Sequence, residues 1–233
     1  MVLSDDPKFM VERAVLDDAV KNENGAVVVY DERAYAVRMG EWVKCLFADV
    51  NDFAEYAARY DLYGKVCLLG APSTAPSTLG FEARPCVTFA YLNPMPPAVE
   101  CPNGVEIKRL APSLAETVYD AYGNPGSYTA RDIADIMREK GVFGAIADGK
   151  LVGFIGRHDD GSMGMLEIFE QARRRGIGSA LERFLITFVM TYGRTPYCDV
   201  YIDNPQSMAL QRKLGLTAAS GYTFWTKIDK RAI

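Results

Sequence analysis

Residues 163–192 read MGMLEIFEQARRRGIGSALERFLITFVMTY, and no other stretch restricts the fold as much. MGMLEIFE (163–170) has the composition of a strand. A basic turn follows, Arg173-Arg174-Arg175 running into Gly176-Ile177-Gly178. From Ile177 the apolar positions Leu181, Phe184, Leu185, Phe188 and Tyr192 fall on one helical stripe, widened by Ile186, Val189 and Met190. A helix that apolar needs cover on more than one side. Strand, glycine turn and helix in direct succession place the chain in the mixed α/β class.

The same succession is a physical recipe for holding phosphate. Backbone N–H groups at a helix start have no intrahelical partner, and the helix dipole adds partial positive charge there. Glycine lets that backbone approach an anion, and arginine supplies forked donors. A dinucleotide fingerprint needs a third glycine three residues after the second, where this chain has Leu181. A Walker A loop needs Gly-Lys-Ser/Thr, which the chain lacks. What remains is Arg173-x-x-Gly176-x-Gly178, set against the plainer alternative of a solvated basic turn.

Composition narrows the function further. The net charge is −4, which argues against nucleic acid as a partner. Five scattered cysteines without a CxxC pair, and a single histidine, suggest reduced thiols and no metal site. MVLSDDPKF at the amino terminus has no apolar signal core, and the run Phe184–Met190 is too short to span a bilayer. The expected setting is the cytoplasm, with no membrane partner and a monomer or homodimer as the assembly.

Along the chain, 4–22 reads as a helix with Ser4, Asp5 and Asp6 as cap candidates. Strands are expected at 26–32, 33–39, 42–50 and 65–69, and a helix over 52–60. The proline-rich link YLNPMPPAVECPNG (91–104) is the expected boundary, giving halves 1–100 and 101–233. In the second half, 105–110 is a strand, and Thr129 with Asp132 makes a capping box. FGAIADGKLVGFIG (143–156) is a hairpin turning at Asp148-Gly149. Residues 197–203 form a strand, and Asn204-Pro205 starts a helix that Gly215 ends. Residues 222–228 form the last strand. LGFEARPCVTFAY (79–91) aligns without gaps to LGLTAASGYTFWT (214–226), identical at five of thirteen positions. Two copies of one α/β unit are therefore expected, and the first has no counterpart of RRRGIG.

MLEIFEQARRRGIGSALERF (165–184) resembles the pyrophosphate-binding motif of the GNAT superfamily of acyl-CoA-dependent N-acyltransferases. YIDNPQSMALQRKLGL (201–216) resembles its later motif, and the resemblance covers 105–228. The layout of the first half is similar to the glycine N-acyltransferase-like branch. The resemblance implies a GNAT-like fold of two similar halves, the first degenerate. It implies acetyl-CoA as co-substrate and direct transfer of the acyl group to an amine of a small molecule or amino acid. Backbone near Ile168, Phe169 and Glu170 is implied to hold the pantetheine arm. Amides of Arg173, Arg174, Arg175, Gly176, Ile177, Gly178 and Ser179 are implied to hold the pyrophosphate. Asn204, Ser207 and Gln211 are implied to line the CoA side.

Deprotonating a lysine-like amine at pH 7 costs about 4–5 kcal/mol, whereas a thiolate leaving group asks for about 2 kcal/mol, so the base matters more than the acid. The base candidates are Asp199, then Glu167, then His158; Ser162 stands where other family members carry a Glu. Gln211 occupies the position of the family's usual acid, a tyrosine, and Gln cannot deliver a proton. Tyr201, Tyr222 or a water molecule is the expected substitute acid. The departure at Gln211 leaves open a non-catalytic, acyl-CoA-binding module.

Overall fold

The computed structural model describes residues 3–22, 24–79, 83–123 and 128–230. Its contacts divide into two compact units, Met1–Leu92 with Tyr197–Ile233, and Asn93–Pro196. This is a division by packing. It differs from the sequence halves 1–100 and 101–233 because the last strands pair with strands of the first half.

The first unit carries helix α1 (Met10–Asn22), then β1 (Ala26–Tyr30), β2 (Ala34–Met39) and β3 (Trp42–Phe47). Helix α2 (Phe53–Tyr60), β4 (Gly64–Ala71), α3 (Ala75–Leu79) and β5 (Pro85–Ala90) follow. The expected helix over 4–22 opens with two short 3-10 turns, the second capped by Asp6 accepting from Lys8 N at 3.0 Å. β1 stops at Tyr30 rather than 32 because the Asp31 carboxylate accepts from Arg33 N and Ala34 N, closing a tight turn. β3 stops at Phe47 because Asp49 caps the 3-10 turn Val50–Asp52.

The second unit carries β6 (Val105–Arg109), α4 (Ala115–Ala121), α5 (Ala130–Glu139), β7 (Val142–Ala147), β8 (Lys150–Arg157), β9 (Met163–Ile168) and α6 (Ile177–Thr191). The chain then returns to the first unit with β10 (Tyr197–Tyr201), α7 (Pro205–Lys213), β11 (Thr217–Ala218) and β12 (Tyr222–Ile228). The capping box at Thr129 and Asp132 is formed on both sides. Asp148 and Gly149 both have positive φ, 50° and 72°, as a type I′ hairpin turn demands. α4 lies in a stretch whose periodicity the sequence did not reveal.

The sheet of the first unit runs β1-β2-β3-β4-β12-β5-β10, with β11 also on β5. β3 and β4 pair in parallel over Trp42–Leu46 and Lys65–Leu69, and every other pair is antiparallel. β5 of the first sequence repeat lies between β12 and β10 of the second. β12 in turn lies between β4 and β5 of the first. The two copies have thus exchanged their last strands. Thr88 and Thr223 occupy the same place in the repeat, and their hydroxyls hydrogen-bond at 2.6 Å, both side chains fully buried. Phe89 and Phe224, the next matched pair, are both buried. Gly80 and Phe81 of the first copy lie outside the described residues.

The sheet of the second unit is β6-β7-β8-β9, all antiparallel, with β9 at its end. Phe154, Met165, Val142 and Leu110 pack beneath α4 and α5. α6 covers the opposite face, where Phe143 meets Phe184 and Phe188 at ring separations of 4.9 and 4.7 Å. The wide apolar stripe on α6 belongs to this packing.

Candidate functional site

The site of interest in the second unit is the passage from β9 to α6. β9 does not run straight. Between the pairs Phe154↔Glu167 and Gly156↔Gly164, Ile155 faces two residues, Met165 and Leu166. Met165 holds φ 51°, uncommon for a residue with a side chain. This bulge re-aims the end of β9. Nothing in the composition of MGMLEI signals it.

After Ile168 the chain makes a 3-10 turn, Glu170–Ala172, and enters α6 through Gly176. The expected strand therefore ends two residues short of Glu170, although Phe169 N still donates to Val152 O at 3.0 Å. Arg174 and Gly176 have left-handed φ of 63° and 81°. Alternating backbone of this kind turns successive N–H groups toward one concave point, a fit for an anion. Gly176 is the helix N-cap, and no side chain caps the helix. The first-turn amides of Ile177, Gly178 and Ser179 are left to other partners.

Gly178 is informative because the fold does not require it. Its backbone is helical, and an added Cβ would meet only Ile168, at 3.7 Å from Cγ1 and 4.0 Å from Cδ1, ordinary contacts. Glycine in a helix costs up to about 1 kcal/mol against alanine. The packing on this side of α6 therefore does not call for glycine at 178.

The three arginines are exposed but not alike. Arg174 and Arg175 have no hydrogen-bond or ion-pair partner among the described residues. Arg173 folds back on β9. Its Nε donates to Ile168 O at 2.9 Å, and its Nη2 lies 3.4 Å from Glu167 Oε1. Glu167 pairs across the strands with Phe154, which lies beneath α4 and α5, and a Cβ on Gly123 would fall 3.6 Å from Glu167 Oε2. The Glu167 carboxylate therefore looks toward the α4–α5 side, while Ile168 looks toward α6.

His158 lies on the same unit, in the loop after β8. Its ring stacks on Tyr128 at 5.8 Å with planes 11° apart, and a Cβ on Gly164 would sit 2.1 Å from its Nε2. Tyr128 Oη donates to Asp159 Oδ1 at 2.6 Å, and Ser162 Oγ to Asp160 Oδ1 at 2.7 Å. Burial, then the Asp159 carboxylate, push the Tyr128 phenol well above its ordinary range. His158 is thus packed against Tyr128 and the β9 backbone. Sequence reasoning missed both contacts, since no spacing rule links Tyr128, His158 and Gly164.

The other expected site residues belong to the first unit. Asp199 on β10 accepts from the Thr88 hydroxyl through Oδ1 and from Trp225 Nε1 at 3.1 Å through Oδ2. Both its oxygens are engaged in holding β10, β5 and β12 together. Tyr201 lies under the Arg84 guanidinium at 4.0 Å. Asn204 caps α7, its Oδ1 accepting from Ser207 N at 3.1 Å, with Pro205 in the first turn. The helix ends in a Schellman pair, Gly215 N to Arg212 O and Leu216 N to Gln211 O, each 3.1 Å, with Gly215 at φ 85°. Gln211 is 1% exposed. Tyr222 is half-buried on β12.

Residues 140–225 match the family model described as FR47-like protein. Among solved structures, a Drosophila protein superposes with a TM-score of 0.63 at 19% identity, covering 88% of this chain and 75% of its own. A GCN5-related N-acetyltransferase from Kribbella flavida superposes at 0.55 and 14% identity, covering 95% of both chains. One from Sphaerobacter thermophilus reaches 0.50 at 19%, covering 84% of this chain and 76% of its own. The chain carries the GNAT fold. The GNAT resemblance read from the two motifs is thereby matched at the level of the fold. No curated protein sequence matches the chain. Among the described residues no helix is long and apolar enough to cross a membrane, and no group of His, Cys, Asp or Glu is placed to hold a metal.

Proposed function

We propose that the chain is an acyl-CoA-dependent N-acyltransferase that moves an acetyl group from acetyl-CoA directly to an amine of a small molecule or amino acid. The observation that carries this reading is the β9–α6 turn. Its helix start is uncapped, Arg174 and Gly176 are left-handed, and Gly178 is a glycine the packing does not call for. Amides from Arg173 to Ser179 form the pyrophosphate cradle, and the strand end at Ile168–Glu170 takes the pantetheine arm. The sequence half 101–233 supplies the cofactor motifs.

In the first half, the equivalent strand–turn–helix–strand (β3, α2, β4) is closed. β3 and β4 pair in parallel along their length, and the turn between β3 and α2 carries Asp49 and Asp52 rather than arginine. This supports a degenerate first copy.

Of the base candidates, Glu167 is favoured over Asp199, because both Asp199 oxygens hold the sheet while Glu167 has one long, half-exposed ion pair. A second reading, a module that binds acyl-CoA without turnover, is favoured by one observation. Gln211, where the family's acid is expected, is buried, and an amide cannot deliver a proton. Thiol release from acetyl-CoA across a panel of amines separates the two. Turnover with any amine supports the enzyme; CoA binding without turnover on any amine supports the module.

A further inference from the structure

We propose that Arg173 is a donor-sensing latch on Glu167, an inference that rests on reading the turn as a pyrophosphate cradle. Three adjacent arginines enter α6, yet only the first is committed. Arg174 and Arg175 have no polar partner among the described residues, whereas Arg173 spends its Nε on the Ile168 carbonyl and its Nη2 on Glu167. Those two acceptors are the end of β9, proposed above to take the pantetheine arm, and the carboxylate proposed above as the base.

The latch is built to open. The Nη2–Oε1 separation is 3.4 Å, and the Arg173 and Glu167 side chains are 58% and 23% exposed. Exposed pairs of this kind are weak and screened. A pyrophosphate presents several charged oxygens to the guanidinium fork, a stronger and better-shaped partner than one distant carboxylate oxygen. When the donor arrives, Arg173 turns from β9 to phosphate. That movement frees the Ile168 carbonyl for the pantetheine arm and leaves Glu167 able to accept a proton. The base becomes available only on a protein that already holds the acyl donor, so donor binding precedes acceptor chemistry.

The test is a double-mutant cycle on CoA affinity, read by calorimetry on the full chain, with no need for turnover. Glu167→Gln keeps the shape and removes the charge that holds Arg173. It is expected to tighten CoA binding roughly two- to fivefold, the range an exposed ion pair allows. In the Arg173→Gln background the same substitution is expected to leave CoA affinity unchanged, because no latch remains. The Arg173→Gln control also separates the latch from simple repulsion between Glu167 and phosphate. If Glu167→Gln changes affinity by the same factor in both backgrounds, Arg173 does not link them and the latch is overturned alone. If the wild-type chain binds no CoA at millimolar concentration, the cradle reading falls and the latch falls with it.

Discussion

At the scale of single residues, glycines separate structural from functional demand. Gly176 needs its left-handed φ to turn the chain into α6. Gly178 has no such need. Gly178→Ala is therefore predicted to raise the stability of the unliganded chain by up to about 1 kcal/mol while weakening CoA binding. Urea unfolding and calorimetry check the two halves of that statement. Gly164 is a third case. A Cβ there collides with the His158 imidazole, so Gly164→Ala is predicted to cost about 1–3 kcal/mol, and Gly164→Ala with His158→Ala is predicted to recover most of it. Equal losses in the single and double variants would show that His158 is not what Gly164 accommodates. Tyr128 gives a pH signature. Its phenol is raised above the unfolded value near 10, so the folded chain keeps a proton that the unfolded chain releases. Stability is full below about pH 10 and falls as pH rises beyond it, more steeply in wild type than in Tyr128→Phe. Residue-level chemistry was legible wherever it is local: Asn204 as a cap, Asp148-Gly149 as a turn, Thr129 with Asp132 as a box. The engagement of Asp199 was not, because Thr88 and Trp225 come from strands far away in sequence.

At the scale of elements, two helix starts show how similar sequence signals lead to different chemistry. α7 begins with a side-chain cap and ends in a Schellman pair, so its ends are internally satisfied. Asn204→Ala is predicted to cost about 1 kcal/mol of stability, measured by thermal or urea unfolding, whether or not Asn204 also meets the cofactor. α6 begins without a cap, and its first amides stay available. The strand feeding α6 was readable as a strand, but its bulge was not. Met165, at φ 51°, is buried among residues of α4 and α5, and no residue type in 163–168 announces its backbone. α4 was missed for a related reason. Its short apolar pattern is completed by packing against α5, not by its own periodicity.

At the scale of the molecule, five identities in thirteen positions were enough to suggest a repeat but not how its copies meet. The copies exchange last strands, giving the order β4-β12-β5-β10. Sequence position put the boundary near residue 100, whereas β10 and β12 pack with the first-half strands. Non-local pairing of this kind leaves no trace in local composition. It also implies that the first 92 residues lack strands their own sheet needs. Of the β3–α2–β4 copy and the β9–α6 copy, the second is the one we propose as the anion site. The claim that this site takes CoA is tested most directly by thermal unfolding of wild type and Gly178→Glu with CoA. At a hundredfold excess over Kd, wild type is predicted to gain about 2.7 kcal/mol, and Gly178→Glu, with bulk and negative charge at the cradle, to gain nothing. No gain for wild type at millimolar CoA, or the same gain in both proteins, would contradict the account.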